Sequence, residues 1–377
     1  MSCIYIHIPF CKQACHYCDF HFSTSMKKKE ELVLALAKEI AMRKNEFKDE
    51  VVETIYFGGG TPSILEVSDL KLLIDAVYSN YSVIDNPEIT VEANPDDLLE
   101  ERIIELSQNK VNRLSIGIQS FFEDDLKLMH RAHNSAEAKK CLAIATKYFD
   151  NITIDLIYGM PNMSNEKWLQ NIETALSYNI PHISSYALTV EPKTALHNFI
   201  QKGIIPQLDD EVAQEHFNLL VDKLEENGFI HYELSNFGKE NYFSKNNSSY
   251  WLGKKYIGIG PSAHSYDGIS RSWNVSNNIQ YLKSIAENRL PSETETLTKT
   301  DRYNEYIMTG LRTIWGVSLD RIEQEFGTMY LDYLNQQASK YIEDRLLFID
   351  DNILRTTKSG KFLGDGIASD LFLLNLE

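Results

Sequence analysis

The sequence predicts an α/β protein whose main element is a parallel β-sheet. Six runs rich in β-branched and other apolar residues occur in the first half of the chain, and amphipathic helical patterns lie between them. Strands that alternate with helices pair in parallel through right-handed crossovers. Polar residues follow several of the predicted strands, at the sheet edge where ligands bind in folds of this class.

The alternating elements can be placed one by one. The predicted strands are residues 2–8, 54–57, 88–92, 113–118, 152–157 and 183–188. The predicted helices are residues 31–47, 68–78 with Ser68 as the N-cap, 98–106, 136–148 and 165–178. Periodicity alone does not choose between an open doubly wound sheet and a partial barrel.

The regular alternation stops near residue 190. Residues 189–210 have the composition of a loop, and the Pro-, Ser- and Thr-rich residues 289–300 read as a boundary. Near the end of the chain, alternation within 346–355 around Asp350-Asp351-Asn352 predicts a β-hairpin. We therefore expect three parts: a core at residues 1–190, an extension that completes it at 191–290, and a small, mostly helical C-terminal domain at 291–377.

Composition and charge narrow the classes of function. The chain has 377 residues, with 37 Lys and Arg against 54 Asp and Glu, for a formal net charge of −17. Nucleic-acid binding needs a basic face, so we expect no nucleic-acid partner. No apolar run approaches the roughly 18–20 residues of a membrane-spanning helix, and no secretory signal is recognisable. We expect a cytoplasmic protein that does not span a membrane.

Cysteine placement is the first chemical signal. Of five cysteines, three fall within eight residues after the first predicted strand, as Cys11-x3-Cys15-x2-Cys18. Thiolates at this spacing can converge on one centre, and sulfur ligands select iron–sulfur clusters, zinc or copper(I). The spacing favours a cluster with one iron left without a protein ligand. The alternative is a structural zinc site whose fourth ligand is one of three histidines, His7, His16 or His21.

Further polar or flexible residues follow the later strands. The run Gly-Gly-Gly-Thr-Pro at 58–62 follows the second strand and can bring backbone amides close to a ligand. Glu92 ends the third strand, Gln119 ends the fourth, and Asp155 lies within the fifth. A carboxylate inside a buried strand is costly without a partner. Their recurrence at one edge of the sheet predicts a single site.

Taken together, these residues resemble the radical S-adenosylmethionine (SAM) family. The residues that carry the resemblance are Tyr5, Cys11, Cys15, Cys18, the run at 58–62, Glu92, Gln119, Arg131 and Asp155. Within the family, the chain is similar to oxygen-independent coproporphyrinogen III oxidases and to heme chaperones of the HemW type. The resemblance covers essentially the whole chain.

The resemblance implies a fold, cofactors and roles for individual residues. The fold would be a partial (β/α)6 barrel with an added α/β extension and a HemN-type C-terminal domain. Cys11, Cys15 and Cys18 would ligate a [4Fe-4S] cluster, with SAM on the open iron, and the chemistry would be one-electron reduction of SAM. The positions that match SAM contacts are Tyr5, Gly59, Gly60, Thr61 and Glu92. The positions that match a second ligand site in the oxidase are Tyr17, Gln119, Arg131 and Asp155.

Departures from the oxidase pattern favour the chaperone group. The oxidase has a further cysteine two residues after the triad, where this chain has Phe20. The segments at 232–237 and 258–265 are similar to those of HemW-type proteins. One feature points the other way, because the heme-associated His-Asn-x-x-Tyr-Trp pattern begins here with Asn246. The alternative candidate for an axial heme ligand is His264, and the rings of Tyr250 and Trp251 are candidates to pack against the porphyrin face.

We therefore predict a heme chaperone that binds heme as well as the cluster and SAM. The alternative is an oxygen-independent coproporphyrinogen III oxidase, an oxidoreductase of the coproporphyrinogen III dehydrogenase type, and we assign no catalytic residue from the sequence. The resemblance also implies a flavodoxin- or ferredoxin-like electron donor and a respiratory hemoprotein as the heme acceptor.

Overall fold

The computed structural model describes residues 2–374, and its main element in this range is a twelve-stranded β-sheet. The strands of the chain are β1 (Ser2–Ile8), β2 (Val52–Gly59), β3 (Val83–Ala93), β4 (Arg113–Gln119), β5 (Ile152–Tyr158), β6 (His182–Ala187), β7 (Ile230–Glu233), β8 (Asn236–Gly238), β9 (Lys255–Ile259), β10 (His264–Tyr266), β11 (Ser270–Asn274), β12 (Ser292–Thr296), β13 (Val317–Ser318), β14 (Leu347–Asp350) and β15 (Ile353–Thr356).

Helices connect the strands, and those in the first half of the chain contribute apolar residues to the main core beside the sheet. They are α1 (Lys29–Met42), α2 (Val67–Asn80), α3 (Glu100–Ser107), α4 (Glu123–Leu128), α5 (Ser135–Ala145), α6 (Asn165–Ser177), α7 (Ala195–Gln201), α8 (Asp210–Glu226), α9 (Lys245–Trp251), α10 (Asn278–Ala286), α11 (Lys299–Leu311), α12 (Leu319–Arg321), α13 (Thr328–Glu343), α14 (Lys358–Lys361) and α15 (Gly364–Asp370). Short 3₁₀ turns at Pro62–Ile64 and Pro95–Asp97 follow β2 and β3. A π-helical turn, Ile322–Phe326, follows α12.

The first six strands form the parallel sheet that the sequence predicts. They pair in chain order, β1 to β6, each parallel to the next. The sheet continues past both ends of this unit. On one side β9 pairs in parallel with β1, and β10, β11 and β12 follow in antiparallel pairs. On the other side β8 and then β7 pair antiparallel to β6 and β8. Its two ends, β12 and β7, are not paired with each other in the described range, as expected of a partial barrel.

Alternation along each strand separates a hydrophobic outer face from a polar inner one. Ile4, Ile6 and Ile8 of β1 belong to the main hydrophobic core, together with apolar residues of the covering helices. Tyr5 and His7, which alternate with them, lie among polar groups. Successive side chains of a strand point to opposite faces, so every second residue of β1 faces the inner side of the sheet, and these are the polar ones.

Three local predictions need correction, and the segment predicted as a boundary contains a strand. Helix α1 ends at Met42 rather than residue 47, and the N-cap of α2 is Glu66, which forms a capping box with Asp69, not Ser68. The predicted loop at 189–210 contains the seven-residue helix α7. The predicted boundary at 289–300 contains β12, in which every residue is exposed. Backbone pairing with β11 holds this strand, so its sequence shows no apolar period.

The C-terminal region has its own hydrophobic core. That core draws its buried residues from positions 303–371, whereas the buried residues of the main core end at Ile285. The predicted hairpin is confirmed as β14 and β15, which pair antiparallel, with β13 on the far side of β15. Its turn residues Asp351 and Asn352 have φ of 49° and 60°, the left-handed conformation that two-residue hairpin turns require.

The domain boundaries at residues 190 and 290 stay predictions.

Within residues 2–374, no helix combines the length and the apolar composition needed to cross a membrane.

Candidate functional site

The predicted site residues gather at one cavity of about 160 Å³ beyond the C-terminal ends of the parallel strands. All of them line it except Tyr5. They are Cys11, Cys15, Cys18, Tyr17, Gly59, Gly60, Thr61, Glu92, Gln119, Arg131 and Asp155. Loops after β1 and β2 supply the cysteines and glycines, while β3, β4 and β5 supply the polar side chains. This is the ligand-binding edge of a sheet of this class.

The three cysteines are free thiols, half-buried at the cavity. Burial raises the pKa of the Cys11 thiol, and burial together with the neighbouring thiols raises the pKa of Cys18 to about 11. Within residues 2–374, no three His, Cys, Asp or Glu side chains are grouped tightly enough to hold a single metal ion.

The three histidines considered as a fourth zinc ligand are each engaged elsewhere. The Nε2 of His7 lies 3.1 Å from the carbonyl of His21, and the Nε2 of His21 lies 2.8 Å from Oδ1 of Asn278. The ring of His16 stacks on His130 with centroids 4.7 Å apart. The thiols therefore share their cavity with other side chains, and the histidines belong to the surrounding scaffold.

Arg131 reaches across the cavity. Its Nη1 lies 3.4 Å from both Cys15 Sγ and the hydroxyl of Tyr17. Its Nη2 donates to Oδ1 of Asn94 at 2.7 Å and to the carbonyl of Gly117 at 3.0 Å. The remaining donor, Nε, is buried without a hydrogen-bond partner among the described residues. A buried donor left unpaired in this way is a sign of a missing ligand or water.

Gly59 and Gly60 form a close-fitting turn after β2. Gly59 has φ of 108°, and a Cβ built there would lie 2.5 Å from the imidazole of His7. A Cβ on Gly60 would lie 2.6 Å from the carbonyl oxygen of Phe10. The amide of the next residue, Thr61, donates to the same carbonyl at 2.7 Å. Only glycine fits these two positions, because backbone rather than flexible side chain occupies the space around Gly60.

Glu92 and Asp155 are two half-buried carboxyl groups on the inner face. The Glu92 carboxylate accepts hydrogen bonds from the Tyr56 hydroxyl at 2.8 Å and from the amide of Gly59 at 3.2 Å. Burial raises the pKa of Glu92 to about 7, and the charge of Asp155 adds to the rise. Burial also raises the pKa of Asp155 to about 6, against the opposing charge of Arg113. Two carboxyls poised near neutrality in one cavity are typical of a functional site.

Tyr5 and Gln119 complete the predicted set. Tyr5 does not line the cavity but lies directly behind it, with its hydroxyl 3.3 Å from Nδ1 of His7 and its ring 2.8 Å from a Cβ built at Gly58. Gln119 is buried at the end of β4 with φ of 63°, an uncommon conformation for a residue other than glycine. Such conformations concentrate at binding sites.

Some lining residues were not predicted from the sequence. They are Gln13, Phe20, Phe22, Ala93, Asn94, Ser115 and Gly117. Three of them follow the period of two that defines the inner face: Asn94 lies two residues after Glu92, and Ser115 and Gly117 precede Gln119 at the same interval. That period is the one signal in the sequence that points to these three positions.

The residues fit an iron–sulfur cluster with SAM. Three thiols supply soft ligands, and Gly59 and Gly60 present only backbone to the cavity wall. Arg131, whose Nε has no hydrogen-bond partner among the described residues, lines the same cavity.

A second cavity, of about 630 Å³, lies between the sheet extension and the C-terminal region. One wall comes from the end of α9 and from β9 to β12, and the other from α11 and the segment that follows it. Aromatic side chains dominate its apolar lining: Tyr250, Trp251, Tyr256, Tyr266, Tyr306, Phe326 and Phe372. The volume falls within the roughly 300–1,000 Å³ of small-molecule sites, which favour such interfaces.

The charged groups of this larger cavity are mostly paired. Arg271 forms an ion pair with Glu305, and Arg321 pairs with Glu325 at 2.9 Å. Arg302 has no carboxylate partner among the described residues, and its Nε is buried without a hydrogen bond. The indole Nε1 of Trp251 is likewise buried and unpaired in the described structure. Two unpaired donors in one cavity indicate a site for a ligand with acceptor groups.

Comparison with known proteins agrees with this architecture. The family model of the radical SAM superfamily matches residues 5–175, and the model of the HemN C-terminal domain matches residues 297–363. The solved structure of coproporphyrinogen III oxidase (HemN) from Escherichia coli superposes with a TM-score of 0.85 at 22% identity, over 98% of this chain and 90% of that one. The fold is thus that of a radical SAM protein, as the sequence predicted.

Relatives in sequence narrow the assignment. The chain is 36% identical to the heme chaperone HemW of Bacillus subtilis (strain 168), covering 97% of this chain and 98% of that protein. It is 33% identical to the heme chaperone HemW of Lactococcus lactis, covering 98% and 97%. The chain therefore belongs to the HemW family.

Proposed function

We propose that this protein is a heme chaperone, which binds heme and passes it to an acceptor hemoprotein. The observation that carries the proposal is similarity along the whole length: relatives named heme chaperone HemW align with 97–98% of this chain. A resemblance confined to the barrel would support only radical SAM chemistry. Full coverage includes the C-terminal region and the larger cavity that it walls.

The proposal places the cluster and SAM in the smaller cavity. Cys11, Cys15 and Cys18 would hold the [4Fe-4S] cluster, which when bound supplies one electron for the reduction of SAM. The chain itself provides orientation. Gly59 and Gly60 present only backbone to the cavity, and the side chains around them shape and desolvate the ligand site.

Each of the other site residues has a proposed task. Glu92 and Thr61, both fixed by hydrogen bonds to neighbouring elements, would contact SAM, and Tyr5 would support that contact from behind. The positions proposed to face a second ligand in the same cavity are Tyr17, Gln119, Arg131 and Asp155.

Heme requires a separate place, and the larger cavity supports one. Its volume of about 630 Å³ suits a large ligand, and its aromatic walls suit a flat one. Heme also carries two carboxylates, for which Arg302 is the unpaired cation of this cavity in the described structure. The lining of this cavity also includes two kinds of side chain that can ligate heme iron, tyrosines and Met308.

Asn246 is not available to heme in this structure. It is 1% exposed. Its side-chain Oδ1 accepts a hydrogen bond from the hydroxyl of Thr54 at 2.9 Å, and its backbone N–H donates to the carboxylate of Glu88 at 3.1 Å. His264 also lies apart from the larger cavity, beside Trp273.

The proposal includes two protein partners: a flavodoxin- or ferredoxin-like electron donor and a respiratory hemoprotein as acceptor. Both follow from the resemblance to the family. The cytoplasm is the proposed compartment, where a reducing environment keeps such cysteine ligands available.

An anaerobic assay on the full chain tests the function. Protein reconstituted with iron and sulfide is titrated with hemin and then mixed with a heme-free b-type cytochrome. We expect saturable binding of one heme per chain, followed by its appearance on the cytochrome. A parallel incubation with SAM, a reductant and coproporphyrinogen III should yield no decarboxylated product. Formation of protoporphyrinogen would overturn the chaperone and favour the oxidase, which shares the fold.

A further inference from the structure

Helix α4 ends in a backbone conformation that glycine usually adopts. His130 follows the helix with φ of 57°, its amide bonds to the carbonyl of Lys127 at 3.1 Å, and the amide of Arg131 bonds to the carbonyl of Leu126 at 2.9 Å. These bonds close the helix end, where a left-handed residue is common and is most often glycine. A histidine here is strained, so its side chain needs a compensating role.

The imidazole of His130 pairs with that of His16, in the cysteine loop. The two rings are 4.7 Å apart between centroids and 6° from parallel. The Nδ1 of His130 donates to the carbonyl of Ala14 at 2.8 Å, and the Nδ1 of His16 donates to the carbonyl of Leu128 at 2.8 Å. Each ring therefore bonds to the backbone of the other segment. We call this pair of rings and their two bonds the histidine clasp.

Backbone contacts reinforce the clasp on both sides of Cys15. The amide of His16 donates to the carbonyl of Met129 at 3.1 Å, and Nε2 of Gln13 donates to the carbonyl of His130 at 2.7 Å. Residues 13, 14 and 16 are thus all tied to residues 128–130. The neighbour of His130, Arg131, meets the Sγ of Cys15 itself.

A third element holds the clasp from outside. The ring of His16 rests edge-on against Phe199 of α7, with centroids 5.0 Å apart, and the amide of Leu196 bonds to the carbonyl of His16 at 2.8 Å. His130 itself is exposed, so its ring is not held by a hydrophobic core. Its contacts are those with the cysteine loop.

We propose that the histidine clasp positions the segment around Cys15 before the cluster is loaded and slows the loss of iron afterwards. His16 and His130 are positioning residues in this proposal, which rests on the cluster ligands of the proposed function. Groups that orient metal ligands without touching the metal affect metal retention strongly. The ordering of the empty loop, however, does not depend on the cluster being present.

The variant His130→Gly distinguishes the proposed positioning of the cysteine loop from a role limited to ending helix α4. Glycine relieves the left-handed strain, so a residue that merely ended the helix would be replaced without loss, and the melting temperature of the apoprotein would stay or rise. Under the proposal, the melting temperature also stays or rises, but the amides of residues 13–16 exchange with deuterium roughly tenfold faster in the apoprotein. Release of iron from the reconstituted protein to a chelator becomes about tenfold faster.

Two further variants make the result specific. His130→Asn keeps a residue that tolerates this conformation and a short donor towards Ala14, so it should recover much of the slow iron release. Asn179→Gly relieves the same kind of strain, at φ of 55°, after helix α6 and should change neither exchange at 13–16 nor iron release.

The outcomes separate the clasp from the proposed function. Wild-type exchange and wild-type iron release in His130→Gly would overturn the clasp and leave the cluster assignment standing. A wild-type protein that takes up no iron and sulfide would overturn the cluster assignment, and with it the part of the proposal that concerns iron. Fast exchange at 13–16 in the His130→Gly apoprotein would still support the ordering of the loop.

Discussion

The hydroxyl of Tyr56 donates a 2.8 Å hydrogen bond to the half-buried carboxyl group of Glu92. This bond joins neighbouring strands, β2 and β3, directly behind the glycine turn. This hydrogen bond favours the carboxylate, whereas burial favours the neutral acid. Burial is the larger effect, so the pKa of Glu92 rises to about 7. Glu92 therefore changes charge within the physiological range of pH.

This pKa predicts a pH-dependent stability difference between the wild type and Glu92→Gln. The ordinary pKa is 4.5, so between pH 4.5 and 7 the unfolded chain is ionised while the folded chain keeps its proton. The wild type accordingly loses stability relative to the variant as the pH rises through that window. From pH 5 to pH 7 we expect a change of about 2 kcal/mol in the difference of unfolding free energies, measured with urea. A difference that is flat across this window would contradict the raised pKa.

The cysteine triad predicts which substitutions remove the iron–sulfur cluster. Replacing Cys11, Cys15 and Cys18 with Ala should remove the brown absorbance, iron and acid-labile sulfide of anaerobically purified protein, because these three thiols face one cavity. Cys141 is buried in α5, and burial raises its pKa to about 12, so Cys141→Ala is the control and should keep the cluster. Full iron and sulfide in the triple variant would refute the ligand set. Zinc in place of iron and sulfide in the wild type would support the alternative metal site.

The glycine turn predicts a selective loss of SAM binding. In Gly60→Ala the new methyl group meets the carbonyl of Phe10, and the backbone has to move. We expect SAM to bind about tenfold or more weakly to the reconstituted variant in equilibrium dialysis, since the displaced backbone would change the shape of the cavity wall at the ligand. Gly366→Ala in α15 adds a methyl group where no atom lies within 4 Å, and it should bind SAM normally. Equal affinity for SAM in both variants would contradict a role of the glycine turn in SAM binding.

The larger cavity predicts residues on which heme affinity depends. Trp251→Ala and Arg302→Gln each remove a donor that is unpaired in the described structure, and each should weaken heme binding about tenfold in a hemin titration. Trp273→Ala and Arg289→Gln are matched controls, since neither residue lines the cavity, and they should bind heme as the wild type does. Unchanged affinity in both cavity variants would place the heme elsewhere.

The buried position of Asn246 predicts that restoring the family histidine will not create a heme ligand. Asn246→His forces a larger ring into a site that is 1% exposed and breaks the bond from Thr54. We expect a loss of about 1–3 kcal/mol in stability. The absorption spectrum of bound heme should be unchanged. A shift of that spectrum to a histidine-ligated form would show that this segment opens to heme.

Much of the smaller cavity was predictable because its residues follow strands. The Cys11 loop and the glycine turn come directly after β1 and β2, and parallel strands bring their C-terminal ends to one edge. Asn94 and Ser115 were missed even though they share the period of Glu92 and Gln119, because a lone Asn or Ser carries little chemical signal in a sequence.

The larger cavity could not have been predicted in the same way. Its walls pair β9–β12 with α11 and residues beyond it, and no motif links them. Strand β12 is hidden in the sequence because all five of its residues are exposed, so only hydrogen bonds to β11 define it. The left-handed conformation of His130 is also invisible from sequence, because position after a short helix does not by itself dictate φ.

The separate core at residues 303–371 has a consequence for the two halves of the molecule. A chain cut before α11 would keep the buried residues of the barrel, the cysteine loop and the glycine turn. It would lose the wall that carries Arg302, Tyr306 and Met308. Under the proposed function, a single truncation would therefore separate the two ligands: the shortened protein would keep the residues proposed to hold the cluster, while the cavity proposed for heme would lose one wall and be open to water.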